Sequence, residues 1–299
     1  MIVICGPTCT GKTATAIDLA ERTGGEIVAA DSRTVYRFMD IGTAKPTAEQ
    51  QTRVRHHLLD VADPGEVFTV ARYRQLATAA IADIQNRGKV ALLVGGTGLY
   101  IRAVTDDLHI PEVPPRWDRR RVLEDSEREQ PGLLHRRVTE VDPEAAARIH
   151  PRNIRRLIRA IEVFETTGTP ISTLQRRGTE TDAAARIGLA VDRAVLYTAI
   201  DTRVDEQIAA GLVEEVRGLL ATGYAPSLPS MQGLGYKEIA AALNGQAALG
   251  DAVVTLKRNT RRYAKRQLTW FRSDPRIRWV DVTVKTPSEV ATTIVAMLH

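Results

Sequence analysis

The chain has 299 residues, 43% of them hydrophobic and 26% charged, proportions that allow one large core with or without a smaller appended domain. No apolar run reaches the length of a membrane-spanning helix, and two cysteines, Cys5 and Cys9, are too few for a disulfide framework or a zinc site. The formal net charge of +5, carried mostly by arginine, suits a polyanionic partner, although an alanine- and arginine-rich chain also follows from a GC-rich genome.

Met1 leads straight into Ile2-Val3-Ile4 with no basic leader, so the expected location is the reducing cytoplasm. Ile2–Cys5 reads as a short buried strand, and Thr13–Arg22 as a helix ended by Gly24-Gly25. A second strand, Glu26–Ala30, runs into Asp31, and a loop then passes through Gly42–Pro46. His57–Val61 is the candidate third strand. Val70–Asn86 places Tyr73, Ala77, Ile81 and Ile84 on one helical face and stops at Gly88. Val90–Val94 is apolar throughout, as a strand covered on both faces should be. Strands alternating with helices predict a doubly wound parallel sheet.

The character changes near Pro111, Pro114 and Pro115. Between Arg116 and Arg177 stand fourteen arginines and no lysine, with little strand character, which reads as a helical insertion. Its clearest helix is Asn153–Thr166, with Ile154, Leu157, Ile158 and Ile161 on the apolar face and Gly168 as the stop. Gly178–Ala185 reads as a solvated linker and Ile187–Val191 as a return to the sheet. Val195–Thr222 reads as one long helix, Leu256–Arg272 as another, Ile277–Val282 as a late strand and Pro287–Leu298 as the last helix. The expected division is residues 1–112 for the first part of the core, 113–185 for the insertion and 186–299 for the second part of the core.

Gly6-Pro7-Thr8-Cys9-Thr10-Gly11-Lys12-Thr13 matches the full P-loop pattern, with a strand before it and a helix after. Its glycines let backbone amides turn toward phosphate oxygens at the positive end of a helix. Lys12 adds a compact charge, and the Thr13 hydroxyl suits magnesium. The fold expected is therefore α/β: a P-loop NTPase-like parallel sheet flanked by helices, with a helical insertion domain. Phosphoryl-transfer enzymes pair this loop with a strand ending in Asp. Here the best apolar strand ends in Gly95-Gly96-Thr97-Gly98, and the nearest acid is Asp31. Parallel strands gather ligands at their C-terminal edge, so Asp31, Thr97 and the loop are expected in one crevice; an Asp that merely caps a turn is the structural alternative.

At these residues the chain resembles the bacterial tRNA dimethylallyltransferases, also called tRNA isopentenyltransferases. The matching blocks are Gly6–Thr13, Asp31-Ser32, Met39–Pro46, Val94–Tyr100, Arg159–Val163, Gly211–Val216, Ser230–Glu238 and Thr260–Gln267, in the family's order over nearly the whole chain. The resemblance implies transfer of a dimethylallyl group from dimethylallyl diphosphate to the exocyclic amine of the adenosine 3′ of the tRNA anticodon, with Mg2+. It implies Asp31 as general base, Thr97 as a catalytic positioning group, and Gly6, Thr8, Thr10, Gly11, Lys12, Thr13 and Arg203 around the diphosphate, with Thr13 on the metal. It also implies tRNA contacts at Asp31, Ser32, Arg33, Thr34 and Thr97, at Arg155, Arg156 and Arg159 on the insertion, and at Arg119. Chemistry agrees, since an adenine amine attacking carbon grows acidic and the departing diphosphate needs positive partners. The chain departs from the family at Arg55, Asn153, Ala190 and Ala199; the last stands where an Arg is frequent and puts some anion or tRNA binding in doubt. The lack of a C-terminal zinc finger leads to the expectation of a bacterial enzyme, and a monomer is expected.

Lys257–Arg278 carries nine basic residues against Asp274 alone, and Arg258, Arg262, Lys265 and Arg272 fall near one helical face. Arg262 and Lys265 are the expected phosphate contacts there. A solvated charged face explains such a run equally in a lone helix, and local ion pairs explain any single arginine of the insertion. Gln232 reads either as a base-edge contact or as a brace of its glycine-rich loop. His56 and His57 read as structural. Two other enzyme classes share the P-loop: a small-molecule kinase or NTPase, and a prenyltransferase acting on free adenine nucleotides. A non-catalytic RNA-binding module leaves the P-loop unexplained.

Overall fold

The computed structural model describes residues 1–175 and 185–298. The chain falls into two compact units, one of Met1–Val104 with Asp182–His299 and the other of Thr105–Thr181. In the first unit six strands form one sheet: β1 (Ile2–Cys5), β2 (Glu26–Ala29), β3 (His56–His57), β4 (Ala91–Gly95), β5 (Ala185–Ala190) and β6 (Arg278–Asp281). The order is β3-β2-β4-β1-β5-β6 and every pairing is parallel. β1 and β4 are buried at every position, because helices cover both faces and leave no room for polar alternation. The Lys12–Thr23 and Pro287–Leu298 helices pack Ile17, Leu19 and Ile294 on one face. The Val70–Asn86 helix packs Tyr73, Ala77, Ile81 and Ile84 on the other, the four residues its periodicity selects. A third core joins the Arg193–Ala209, Leu212–Ala221, Tyr236–Leu243 and Leu249–Arg272 helices to Val35, Tyr36 and Met39.

Three expectations are corrected. The third strand is His56–His57 rather than His57–Val61, because Leu58 and Asp60 take left-handed backbone conformations (φ 66° and 57°) that break the extended run. The long helix expected at Val195–Thr222 is two helices, Arg193–Ala209 and Leu212–Ala221. Gly211, at φ 100°, turns the chain between them, a conformation that a residue with a Cβ adopts only under strain. The Leu249–Arg272 helix begins seven residues before the expected Leu256. The linker expected at Gly178–Ala185 lies outside the described residues, save Ala185, which opens β5.

The second unit is helical among its described residues. The Trp117–Glu129, Leu133–Val141, Pro143–Arg148 and Ile154–Thr167 helices enclose Leu123, Leu134, Val138, Leu157 and Ile161. Glu162 is buried in this unit and accepts from the Arg116 amide at 2.7 Å and from the Arg120 and Arg159 guanidiniums at 2.7 and 2.8 Å. Burial alone would raise its pKa, but these donors hold it below the usual carboxylate range.

Candidate active site

The P-loop joins β1 to the Lys12–Thr23 helix. Gly11 caps that helix in a left-handed conformation, and the first turn carries no acid, so its amides are open to an anion. Inside the loop, Thr10 Oγ1 and Lys12 Nζ both donate to the Pro7 carbonyl. Burial first, and then the Arg203 charge, bring the Lys12 pKa down to about 8, with Asp31 opposing the shift. Arg203 comes from the Arg193–Ala209 helix and donates to Thr8 Oγ1 at 3.2 Å. Gly6, Thr10 and Gly11 shape the turn, while Thr8, Lys12, Thr13 and Arg203 line a cavity of about 360 Å³.

Asp31 lines the same cavity and is the one acid among the described residues that does so. Its Oδ1 accepts the Arg33 amide at 2.8 Å, which leaves Oδ2 with no such bond. Thr97 follows β4; its amide donates to the Ala30 carbonyl at 3.1 Å and its Oγ1 accepts the Ser32 amide at 3.0 Å. The turns after β2 and β4 are thereby stitched together. Tyr263, from the Leu249–Arg272 helix, lines the cavity with its phenol. Burial pushes that phenol up to about 12, and the Asp31 charge adds to the rise.

Other expected residues fall in three groups. Ser32, Arg33, Thr34 and Gln232 line the cavity, but Arg33 donates to the Pro229 carbonyl at 2.6 Å and Gln232 to the Pro226 carbonyl at 2.8 Å, so both brace the 226–232 loop. Arg262 and Lys265 are exposed, as are Arg258 and Arg272 on the same helix, opposite buried Leu256, Ala264, Gln267 and Phe271. In the second unit Arg155 and Arg156 are exposed. There Arg119 forms a bidentate pair with Glu165, and Arg159 is tied to Glu162 and to the Val113 and Pro111 carbonyls.

Sequence reading passed over four residues that hold the site together. Gln267 accepts the Thr8 amide and donates to the Gly96 carbonyl, each at 2.9 Å. Tyr263 lines the cavity, as above. Glu215 accepts the Asp40, Ile41 and Gly42 amides at 2.9, 2.8 and 3.1 Å and the Tyr236 hydroxyl at 2.6 Å. Gln207 donates to the Ile41 carbonyl at 2.7 Å, so the cavity-lining 42–46 loop is pinned from both sides. Three of the four stand inside the motif blocks quoted above, which was the only signal available; Gln207 had none.

No group of three or more His, Cys, Asp or Glu able to hold a metal occurs among the described residues. The Thr13 hydroxyl, on the cavity wall beside Lys12, is a hard oxygen donor of the kind magnesium takes. His57 pairs with Glu26 at 2.8 Å, and His56 Nδ1 lies 2.8 Å from the Val54 carbonyl. No helix among the described residues is long and apolar enough to cross a membrane.

The IPP transferase family model matches residues 34–274. A tRNA dimethylallyltransferase of Desulforudis audaxviator is 53% identical over 284 residues, covering 94% of this chain and 92% of that protein. One from Geobacter metallireducens is 50% identical and covers 100% of this chain and 97% of its own. Among solved structures, the tRNA isopentenylpyrophosphate transferase of Bacillus halodurans superposes with a TM-score of 0.73 at 43% identity, covering 99% and 96% of the two chains. A eukaryotic dimethylallyltransferase acting on tRNA superposes with a TM-score of 0.81 at 26% identity, covering 99% of this chain and 77% of that one. With that family model spanning most of its length and relatives at half identity covering nearly all of it, the chain belongs to the IPP transferase family, the family of the tRNA dimethylallyltransferases.

Proposed function

We propose that the cavity transfers a dimethylallyl group from dimethylallyl diphosphate to the exocyclic amine of the adenosine 3′ of a tRNA anticodon, leaving diphosphate. The observation that carries this is one carboxylate, Asp31, in a cavity otherwise furnished with Lys12, Arg203, Thr13 and the open amides of a P-loop. The diphosphate lies on the loop amides, Lys12 and Arg203, which take up the charge that develops as the C–O bond breaks. Magnesium, when bound at Thr13, supplies further charge neutralisation for the leaving oxygens. Asp31 accepts the amine proton as nitrogen bonds to carbon. Thr97, held by the Ser32 amide, orients the acceptor at the Asp31 turn. The walls at Tyr263, Tyr236 and Leu256 keep water from the allylic carbon.

The adenosine must leave its stack to enter, and the surrounding stem gives phosphates to basic surfaces. Arg262 and Lys265 suit this because they are exposed and pair with no acid among the described residues. Arg155 and Arg156 are the insertion's counterparts, whereas Arg119 and Arg159 hold the insertion's own helices. The test is incubation with magnesium, dimethylallyl diphosphate and either an anticodon stem-loop or free adenine nucleotide, followed by mass spectrometry of the nucleosides. Prenylated adenosine in the stem-loop supports the reading. Prenylation of the free nucleotide alone, or phosphoryl transfer from ATP to a metabolite, would establish the rival chemistry instead.

A further inference from the structure

We propose that Gln267 is a positioning residue for this transfer, fixing the distance between the turn that grips the leaving diphosphate and the turn that carries Thr97; the inference rests on the roles assigned above to the P-loop and Thr97. Gln267 is only 6% exposed, and its carboxamide spans two turns that are far apart in the chain but adjacent in the sheet. Oε1 accepts the Thr8 amide at the end of β1, and Nε2 donates to the Gly96 carbonyl at the end of β4, both at 2.9 Å. β1 and β4 are neighbouring strands, so the side chain bridges their C-terminal ends.

Three features argue for setting a spacing rather than filling space. First, the Thr8 amide belongs to the phosphate turn yet points at Gln267, so one end of that turn is anchored to protein. Second, the fit is close: a Cβ at Gly96 would stand 2.2 Å from Nε2, so the carboxamide occupies the place of any larger residue there. Third, Tyr263 lies one helical turn earlier on the same face and lines the cavity that holds Asp31. One helix therefore sets the leaving-group turn through Gln267 and forms the wall beside Asp31 through Tyr263. A primary amide is the chemistry this requires, with one acceptor for the N–H and one donor for the C=O. A carboxylate keeps the first contact and repels the Gly96 carbonyl; a leucine makes neither.

The test compares the parent with Gln267→Leu, Gln267→Glu and Gln267→Asn in single-turnover transfer, with enzyme in excess, saturating dimethylallyl diphosphate and an anticodon stem-loop. Stem-loop Kd and diphosphate released without transfer are read alongside. Gln267→Leu should transfer about 10²-fold more slowly with a stem-loop Kd within about twofold of the parent, as expected for reacting groups misplaced by about an ångström. Diphosphate release should then outpace transfer, because water reaches the allylic carbon when the acceptor is misaligned. Gln267→Glu should fall between the two, and the shorter Gln267→Asn should not rescue the rate. A variant that transfers at the parental rate overturns the proposal, as does one that loses RNA binding and transfer in equal proportion. If Gln267→Leu does not fold, Gln267→Glu and Gln267→Asn decide the matter by the same criteria. A parent enzyme that prenylates no RNA refutes the proposed function itself, and that result is read before any variant is compared.

Discussion

At the scale of single residues, Asp31 and Lys12 take opposite halves of the proposed reaction. Asp31→Asn keeps the shape and removes the proton acceptor, so kcat should fall by about 10²–10⁴ with tRNA affinity nearly unchanged, as is usual for loss of a general base. Steady-state kinetics beside filter binding checks this; loss of binding with kcat intact would remove Asp31 from the base role. Lys12 offers a pH signature. With its pKa near 8 in the ligand-free site, the ammonium is fully present below that pH and lost above it. A bound anion favours the charged form, so dimethylallyl diphosphate should bind best below pH 8 and weaken by up to about tenfold per unit above it. Calorimetric Kd values across this range should show the decline, and Lys12→Met should flatten it. The P-loop pattern marked Lys12 as a candidate phosphate ligand, but not its depressed pKa, which comes from burial and from Arg203 of a distant helix.

At the scale of elements, the Leu249–Arg272 helix does two jobs on two faces. Its buried side carries Gln267 into the site, and its exposed side presents Arg258, Arg262, Lys265 and Arg272. Arg262→Ala and Lys265→Ala should each weaken stem-loop binding and lower the salt slope by about one, leaving the donor Kd unchanged. The basic face was legible because charge repeats at helical spacing. The break at Gly211 was not, because Val204, Ile208, Leu212, Val216 and Leu219 keep an apolar rhythm across it. The break turns the second helix so that Glu215 meets the amides of residues 40–42. Gly211→Ala, forced to hold φ 100°, should lose about 1–2 kcal/mol in chemical denaturation, with a rise in donor KM as the 42–46 loop loosens.

At the scale of the whole molecule, ion-paired carboxylates tie the elements together. Glu26 is held well below the usual range, first by the Arg87 guanidinium and then by Lys89 and His57, and Asp274 is brought to about 2, first by Arg276. Glu162 is depressed likewise inside the second unit. A carboxylate whose folded pKa lies below its unfolded value contributes stability that is complete above the unfolded pKa, near 4–4.5, and is lost as pH falls toward the folded value. Thermal unfolding should therefore show Tm level near neutrality and falling below about pH 4.5. Glu162→Gln, which strands Arg120 and Arg159 without their charge partner, should destabilise its unit by about 3 kcal/mol at neutral pH and remove part of that acid dependence.

What the sequence determined alone is local: the strand–loop–helix of the P-loop, the buried strands read from continuous apolar runs, and the helices whose faces repeat every three to four residues. Those features arise between neighbours in the chain, where spacing is geometry. Only the tertiary structure decided which distant groups meet. Gln267 reaches Thr8 across 259 residues, Arg203 reaches the same residue across 195, and Glu215 reaches Gly42 across 173. These encounters depend on a strand order in which β1 lies between β4 and β5, and strand order is set by the packing of helices on both sheet faces rather than by any short stretch of residues.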